Sequence, residues 1–404
     1  MFNLTYEFKL KPTQQQIAMF EEWLETHRRV YNYALAERKD WYKSRSCQVN
    51  ACSLKSEYII PADAPRPTFA NQCKSLTSAR KESDYLKRVN AQSLQQTLRR
   101  LEKAFVSMWE RNHGFPRFKK SGRMRSFSFP QLGTNPLNNG CVRLPVIGAV
   151  KVRQSRSIPD GGVIKQACVV KRVSGWYVML TVQWDVTLPS PMPHGEAVGI
   201  DVGLTSFIAT SNGLLVKRPR FFVDAERKLK LLQQRVSRKR LGSNNWKKAQ
   251  KKVASLHEYV ANCRKDWHRK LSHQICNDAG MVFVEDLNLV GLSRGMLGKH
   301  CLDAGFGQFF NILEQTCFKR DAYFQKVDAR KTSQICPNCG IETGKKELSQ
   351  RTHVCSNCGY TTDRDVAAAQ VVLVRGLAAV GHTVKMLAEG KFIGIPVKQE
   401  SSHL

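Results

Sequence analysis

Four cysteines in the last quarter of the 404-residue chain have the spacing of a structural metal site. Two C-x₂-C pairs, Cys336/Cys339 and Cys355/Cys358, are separated by 15 residues, which is typical of zinc ribbons where two turns each present two thiolates to one tetrahedral ion. A redox dithiol is the alternative for a single C-x-x-C pair, but two copies at this spacing favour zinc. Four thiolate ligands leave no open coordination position, so we interpret the zinc as structural.

Three acidic residues occupy positions where a carboxylate is unfavourable without a cation. Asp201 interrupts the apolar segment 197–203, Glu285 ends the apolar segment 281–285, and Asp365 begins a helical pattern. Oxygen ligands suit Mg²⁺, and two such ions held by carboxylates can activate water and stabilise the leaving oxygen of a phosphodiester. The order of strand acid, strand acid and helix acid is that of RNase H-like nucleases, and it predicts a catalytic magnesium site with two ions.

Two neighbouring acids compete for places in this predicted site. Asp286 follows Glu285, and because successive strand residues face opposite sides, only one of the two can join the cluster. Asp363 precedes Asp365 by two residues and could instead cap the helix. Each acid alone would more often be structural or solvated, so the hypothesis depends on the three together.

The charge balance points to a polyanionic partner. Lys and Arg number 64 against 33 Asp and Glu, a net charge of +31, and phosphates would neutralise such a surplus. A basic membrane-surface protein would need an apolar anchor, and we find neither an anchor nor an apolar stretch near the ~18 residues of a membrane span. The odd count of 13 cysteines and the absence of a leader pattern predict a reducing, cytoplasmic setting.

The elements that must position these residues alternate between helical and strand patterns. Residues 5–10 predict a strand and residues 14–43 a helix with Thr13 as its N-cap. A second helical region covers residues 71–112, and residues 46–70 predict a loop or variable insertion. Short strands that predict a small antiparallel barrel or sandwich then follow at 126–129, 141–144, 148–152, 168–172 and 176–182.

The second half of the chain begins after a proline-rich linker. Asp201 lies within one predicted buried strand and Glu285 ends another, and residues 225–275 predict long, very basic helices. A helix at 306–320 and a strand at 323–327 precede the cysteines. A helix at 366–375 follows them, and we expect a loosely ordered tail from about residue 390.

Taken together, the motifs resemble a known family. They span nearly the whole chain: residues 114–120 (GFPRFKK), 199–203 (GIDVG), 284–287 (VEDL), 304–307 (AGFG), the cysteines from 336 to 358, and 363–365 (DRD). The sequence resembles the TnpB (OrfB) family of transposon-encoded RNA-guided DNA endonucleases, considered ancestral to compact type V CRISPR effectors.

The resemblance implies an α+β multidomain fold, in which a wedge β-barrel with an inserted helical recognition lobe precedes an RNase H-like (RuvC) α/β nuclease domain with an inserted zinc ribbon. The expected regions are the first wedge strand (1–12), the recognition lobe (13–112), the wedge barrel (113–185), the linker (186–195), a first RuvC segment (196–333), the zinc ribbon (334–360), a second RuvC segment (361–385) and a poorly ordered tail (386–404).

The resemblance also implies a function and its partners. A guide RNA from the transposon end would direct cleavage of matching double-stranded DNA beside a short adjacent motif, with Asp201, Glu285 and Asp365 as the catalytic acids and the chain acting as a monomer. By the family pattern Asp365 is favoured over Asp363 as the ligand. The residues expected to contact nucleic acid are Gln95, Arg99, Phe115, Arg117, Lys119, Lys120, Gln131, Arg238, Lys239, Arg240, Lys247 and Lys248.

One position departs from the family pattern and keeps alternatives open. Ala367 stands where the family usually has Asn, two residues after the catalytic aspartate, and its effect on activity is open. The alternatives are an RNA-guided DNA-binding repressor with weak or no cleavage, a guide-free structure-selective nuclease and, less favoured, a transposase.

Overall fold

A computed structural model describes residues 1–46, 60–61, 63–347, 349–386 and 392–396. These residues divide into two units, Met1–Leu188 and Pro189–Leu404, and the boundary lies inside the proline-rich segment interpreted as a linker. Most of the predicted insertion at 46–70 and most of the predicted tail lie outside the described residues.

The first unit is built on one antiparallel sheet. Its order is β2-β6-β7-β1-β5-β4-β3, so the first strand of the chain lies in the middle and the helices are inserted between β1 and β2. The pairing of the described residues does not join β2 to β3, so the barrel expected from the sequence is open here, as a half-barrel. The strands are β1 (Phe2–Lys11), β2 (Ser126–Phe129), β3 (Leu137–Asn138), β4 (Cys141–Leu144), β5 (Gly148–Arg153), β6 (Val163–Arg172) and β7 (Gly175–Trp184).

Among the described residues, four helices are inserted after β1, and local hydrogen bonds set their ends. Thr13 Oγ1 accepts from the backbone N–H of Gln16 at 3.3 Å and Gln16 Oε1 accepts from the N–H of Thr13 at 3.0 Å, a capping box that confirms the predicted N-cap. Ser83 and Asn90 cap two further helices, which is why the predicted second region is three helices. The four are α1 (Gln14–Ser46), α2 (Phe69–Glu82), α3 (Asp84–Lys87) and α4 (Ala91–Arg111).

Aromatic side chains of α1 join the helices to the sheet. Phe20 lies 4.9 Å from the Trp176 ring and Trp23 lies 5.4 Å from the Phe127 ring, measured between centroids, and all four side chains are buried. Tyr33 of the same helix is 76% exposed. The apolar stripe of α4 is buried at Leu94, Leu98, Leu101 and Phe105.

The second unit contains a mixed five-stranded sheet of order β10-β9-β8-β11-β12. Strand β11 is parallel to β8 and β12, whereas β9 is antiparallel to β8 and β10. The strands are β8 (Ala197–Val202), β9 (Ser206–Thr210), β10 (Leu215–Lys217), β11 (Met281–Glu285) and β12 (Tyr323–Val327). The helices are α5 (Phe221–Ser237), α6 (Asn244–Asp278), α7 (Leu289–Arg294), α8 (Gly298–Ala304), α9 (Phe306–Lys319) and α10 (Arg364–Ala379).

Each face of this sheet has its own helical cover. Val198 and Ile200 of β8 pack with Leu271 of α6 and with Phe309 and Leu313 of α9. On the other face, Met281 and Phe283 of β11 pack with Val372, Leu373 and Leu377 of α10. Because strand residues alternate between faces, Asp201 and Glu285 belong to the face that α10 covers.

The remaining elements are short. A 3₁₀ turn (Thr332–Gln334) precedes the cysteines, β13 (Thr352–Val354) pairs with β14 (Thr361–Asp363), and β15 (His382–Met386) pairs with β16 (Phe392–Pro396). Strand β16 lies in the segment for which the sequence predicts a loosely ordered tail. Within the described ranges, no helix has the length and apolarity to span a bilayer.

Candidate metal centres

Parallel strand pairing places the first two predicted acids side by side. Strands β8 and β11 pair in register from Ala197 opposite Met281 to Ile200 opposite Val284, so the next step along both strands puts Asp201 beside Glu285. Adjacent strands lie about 4.8 Å apart. The two carboxyl groups therefore meet at the carboxyl ends of neighbouring strands, and they share a hydrogen bond.

Two glycines allow α10 to approach these strands closely. A Cβ on Gly199 would lie 2.2 Å from the carbonyl oxygen of Ala369, and a Cβ on Gly376 would lie 2.1 Å from the Phe283 ring. Asp201 is two residues beyond Gly199 on the same face of β8, and Asp365 is one helical turn before Ala369. The contact at Gly199 therefore places the start of α10 over Asp201.

The competing acids take other positions. Asp363 caps α10, because its Oδ1 accepts from the N–H groups of Asp365 at 2.8 Å and Val366 at 3.3 Å, which confirms the capping alternative. Asp286 is exposed, whereas Glu285 is 5% exposed. The structure thus brings Asp201, Glu285 and Asp365 together and excludes Asp286 from the group.

The surroundings of the three acids shift their pKa values upward. Burial, followed by repulsion from Glu285 and Asp365, raises the pKa of Asp201 well above its usual range. Burial also raises the pKa of Glu285, and burial together with Asp363 raises the pKa of Asp365. Carboxylates held in this way favour the binding of a cation, because a divalent ion would offset both the burial and the repulsion.

Three polar residues that sequence reasoning missed surround the acids. Thr332 Oγ1 donates to Glu285 Oε1 at 2.5 Å, and the charge of Arg375 on α10 lowers the pKa of Glu285 against the effect of burial. Arg351 Nη1 lies 4.0 Å from Asp365 Oδ1, and Arg351 Nη2 donates to Thr205 Oγ1 at 2.8 Å. No local motif marks these residues, since each reaches the acids only through the fold.

The four predicted cysteines form the second centre. Their Sγ atoms all lie within 4.8 Å of one another, with Cys336 Sγ 3.6 Å from Cys358 Sγ and Cys339 Sγ 3.6 Å from Cys355 Sγ. Tetrahedral zinc–thiolate bonds of about 2.3 Å would put the sulfurs about 3.8 Å apart. The cluster therefore has the dimensions of a four-thiolate metal site.

Matching backbone turns support the two cysteine pairs. The N–H of Gly340 donates to the carbonyl of Cys336, and the N–H of Gly359 donates to the carbonyl of Cys355, both at 2.9 Å. Both glycines have positive φ, 73° and 71°, a conformation that favours glycine. Backbone N–H groups, first that of Cys358, lower the pKa of the Cys355 thiol to about 6, which favours the thiolate a metal requires.

The residues of the first unit that were predicted to contact nucleic acid differ in their exposure and in their contacts. Phe115 is 39% exposed, and its ring meets that of Phe105 edge-on with the ring centroids 5.4 Å apart. Much of the Phe115 side chain therefore packs against the protein. Lys119 is anchored through its backbone, because Asn32 Oδ1 accepts from its N–H at 2.8 Å and Asn32 Nδ2 donates to its carbonyl at 2.9 Å. Arg117 and Lys120 are exposed.

The two predicted glutamines differ in their surroundings. Gln131 is exposed and its Oε1 accepts from Gln92 Nε2 at 3.0 Å, whereas Gln95 is half-buried on α4. Arg99 is exposed, and its guanidinium lies over the Phe69 ring at 5.3 Å. Gln131 therefore bonds to Gln92, which was not among the residues predicted to contact nucleic acid.

The basic residues predicted in the second unit lie at the end of a helical hairpin. Helices α5 and α6 pack along each other, and the turn between them together with the start of α6 carries the cations. All five are exposed, and none makes an ion pair with another described residue. They are Arg238, Lys239, Arg240, Lys247 and Lys248.

Three family models match the chain. OrfB_IS605, described as "Probable transposase", matches residues 177–295. The Cas12f1-like TNB domain matches residues 306–372, the range that contains the cysteine cluster and Asp365. The helix-turn-helix domain of OrfB_IS605 matches residues 1–47, and in this chain the described residues of that range form β1 and α1.

A solved structure has the same fold. The Cas12f1 chain of a cryo-EM structure of the Cas12f1-sgRNA-target DNA complex superimposes with a TM-score of 0.53 at 15% identity, covering 89% of this chain and 83% of that chain. Fold and site thus define a Cas12f-like α/β protein with a three-acid centre and a four-cysteine cluster.

Two curated relatives match along nearly their whole length. A Streptomyces pristinaespiralis protein named "Putative RNA-guided DNA endonuclease" is 30% identical over 405 residues, covering 98% of this chain and 95% of the relative. An Escherichia coli (strain K12) protein named "Putative RNA-guided DNA endonuclease InsQ" is 28% identical over 415 residues, covering 99% and 97%. The chain belongs to the TnpB (OrfB) family.

Proposed function

We propose that this protein is an RNA-guided DNA endonuclease that hydrolyses phosphodiester bonds at the centre formed by Asp201, Glu285 and Asp365. The observation that carries the proposal is the convergence of these acids, from two adjacent parallel strands and one helix start, on one face of the sheet. Full-length relatives named as RNA-guided DNA endonucleases support the same function.

The residues present fit the metals that this function requires. Three carboxyl groups whose burial raises their pKa values, with Glu285 and Asp365 adding to the rise at Asp201, are a hard-oxygen donor set suited to Mg²⁺. When bound, two such ions would activate the attacking water and stabilise the leaving oxygen. The sulfur cluster fits a structural zinc ion, because all four donors are thiols at tetrahedral spacing.

The chain's own groups would prepare this chemistry. Thr332 holds one oxygen of Glu285, and Arg351 places a positive charge 4.0 Å from Asp365. A cation at that position can also attract the phosphate of a strand entering the site. The acids lie on one chain, which supports action as a monomer.

The net charge and the fold support nucleic acids as the partners of this protein. The net charge of +31 suits a guide RNA together with double-stranded target DNA, and the exposed cations at the α5–α6 turn would contact their phosphates. We propose that β1 to β7 form the wedge, α1 to α4 the recognition lobe, and residues 196–333 and 361–385 the RuvC domain with its ribbon at 334–360. In this arrangement pairing with a transposon-end guide reads the sequence, and the protein reads a short adjacent motif.

The substitution at position 367 does not favour a cleavage-deficient repressor. Ala367 is 2% exposed and lies about 200° around α10 from Asp365. Its side chain therefore points away from the acid centre. Retention of all three acids supports cleavage.

Cleavage by the purified protein with its co-purified RNA tests the proposal. Sequencing that RNA supplies the guide, and a plasmid library with a guide-matched site and randomised flanks supplies the adjacent motif. We expect Mg²⁺-dependent cutting of the matched plasmid, and we expect Asp201→Ala to lower its rate by at least about 1,000-fold while target binding is retained.

Controls separate the alternatives. A plasmid without the guide match should stay intact, and treating the protein with ribonuclease should abolish cutting. Cutting of branched DNA after ribonuclease treatment would support a guide-free nuclease instead. Cleavage by the Asp201→Ala protein at the wild-type rate would show that the centre is misassigned.

A further inference from the structure

Thr332 makes a buried hydrogen bond to one of the three acids. Its side chain and that of Glu285 are each 5% exposed, and Thr332 Oγ1 lies 2.5 Å from Glu285 Oε1. The same hydroxyl lies 3.4 Å from the carbonyl oxygen of Ala329, a much weaker contact. The hydroxyl therefore donates chiefly to the carboxylate.

The position of Thr332 is set by the backbone before it. Lys331 has φ 56° and ψ 18°, the left-handed region that non-glycine residues seldom adopt. The chain then makes the single 3₁₀ turn Thr332–Gln334, closed by the N–H of Gln334 donating to Lys331 O at 2.9 Å. This turn directs the Thr332 side chain into the sheet face that holds the acids.

The four-cysteine ribbon supports the same turn from the other side. Thr343 donates to Gln334 O through its N–H at 2.7 Å and through its hydroxyl at 3.1 Å. Lys346 Nζ donates to Ser333 O at 3.2 Å. Cys336 begins the first cysteine turn only four residues after Thr332. The ribbon and the acid centre are therefore joined through this turn.

The hydrogen bond restricts the freedom of Glu285. A glutamate at a strand end has three rotatable side-chain bonds, and a hydroxyl that holds Oε1 fixes the direction in which Oε2 points toward the acid centre. Groups that hold a metal ligand in this way commonly change metal affinity or activity by about 10- to 100-fold when they are removed.

We propose that Thr332 is a positioning residue that orients Glu285 for divalent-metal binding, held in place by the cysteine ribbon. This role rests on the proposed nuclease function. In this arrangement the ribbon not only stabilises its own segment but also holds the Thr332 hydroxyl against the acid centre.

A pair of substitutions tests the hydroxyl itself. Thr332→Val keeps the shape and removes the donor, whereas Thr332→Ser keeps the donor. We expect Thr332→Val to lower the single-turnover cleavage rate about 10- to 100-fold and to raise the Mg²⁺ concentration for half-maximal cleavage, with Thr332→Ser within about 3-fold of wild type. Thr316→Val is the matched control, because Thr316 is also buried and, among the described residues, its hydroxyl bonds to the Ile312 carbonyl of its own helix.

A second readout does not depend on cleavage. Fe²⁺ with ascorbate and peroxide generates hydroxyl radicals that cut the polypeptide next to bound iron. In the protein–guide complex we expect cuts at the ends of β8 and β11 and at the start of α10 for wild type, Thr332→Ser and Thr316→Val, and several-fold weaker cuts for Thr332→Val. Zinc content should stay at one ion per chain in all four proteins.

The outcomes are distinguishable. Wild-type Mg²⁺ dependence and iron cutting in Thr332→Val would overturn the positioning role, and so would equal losses in the Val and Ser variants. If the wild-type protein does not cleave DNA, the proposed function fails, while the iron pattern still reports whether Thr332 orients a metal site. Loss of zinc from Thr332→Val alone would show that the residue supports the ribbon and not the acid.

Discussion

The neighbouring carboxyl groups oppose the ionisation of Asp201. Burial, followed by Glu285 and Asp365, raises the pKa of Asp201 well above its usual range. A carboxyl group whose pKa is higher in the folded than in the unfolded state lowers the stability of the fold as pH rises from the unfolded toward the folded value. The acid centre therefore opposes folding at neutral pH until a divalent ion is bound.

We expect Asp201→Asn to raise the free energy of unfolding of the zinc-loaded, magnesium-free protein at pH 7.5 by about 0.5–2 kcal/mol, because the amide can donate a hydrogen bond to Glu285 without carrying a charge. Thermal unfolding without added Mg²⁺ and without a chelator measures this as a rise of a few degrees. The gain should vanish below pH 3.8, the ordinary pKa of an aspartate side chain, where the wild-type group is protonated in both states.

The exposed neighbour gives the matched control. Asp286→Asn removes a similar charge from a solvated position, so the midpoint should stay unchanged. Added Mg²⁺ should raise the midpoint of the wild-type protein more than that of Asp201→Asn. A variant no more stable than wild type at pH 7.5 would contradict the proposed repulsion.

At the scale of elements, the contact between β8 and α10 decides whether the third acid reaches the site. Gly199 leaves no room for a side chain, since its Cβ would lie 2.2 Å from Ala369 O and 2.6 Å from Leu373 N. Those atoms are helix backbone and cannot move separately. A methyl group at this position must push α10 as a whole away from the sheet.

We expect Gly199→Ala to destabilise the protein by about 3 kcal/mol, the upper end of the range for overpacking, and to reduce cleavage even where the protein is folded, because Asp365 moves away from Asp201. Thermal unfolding and single-turnover cleavage measure the two effects. Gly133→Ala is the control, because nothing lies within 4 Å of its Cβ and its φ is not positive. Equal stability of the two variants would show that α10 does not depend on this contact.

Several elements followed from the sequence because their signals are local. The Thr13 cap and the strand at 176–182 depend on short-range patterns, and both form as predicted. The division of the second helical region did not follow, because Ser83 and Asn90 resemble ordinary helix-surface residues until their caps are seen.

At the scale of the whole molecule, the surplus of 31 positive charges governs binding to nucleic acid. The α5–α6 turn and the start of α6 present cations without acidic partners among the described residues, whereas Lys87 and Lys270 are paired with Asp84 and Asp266. Unpaired cations release counterions when they bind phosphates, so they should dominate the salt dependence.

We expect the double change Lys247→Gln and Lys248→Gln to weaken guide-RNA binding and to lower the slope of log affinity against log salt by about 2, one for each lysine that no longer binds a phosphate. Filter binding across a potassium chloride series measures the slope. The matched double change Lys87→Gln and Lys270→Gln removes the same charge from paired sites and should leave the slope nearly unchanged. Equal slopes for the two variants would place the RNA away from the hairpin.

The sequence by itself determined the cysteine cluster, the choice of Asp201 and the surplus charge, because ligand spacing, an acid within an apolar strand and composition are properties of short segments or of simple counts. Only the tertiary structure decided which acids meet and which residues hold them. The register of β8 and β11 places Glu285 beside Asp201, although the two residues are 84 positions apart along the chain. The close packing of α10 on Gly199 places Asp365 over the same site. The turn before the ribbon brings the Thr332 hydroxyl into contact with Glu285. Such contacts depend on packing between distant segments, for which the local sequence carries no signal.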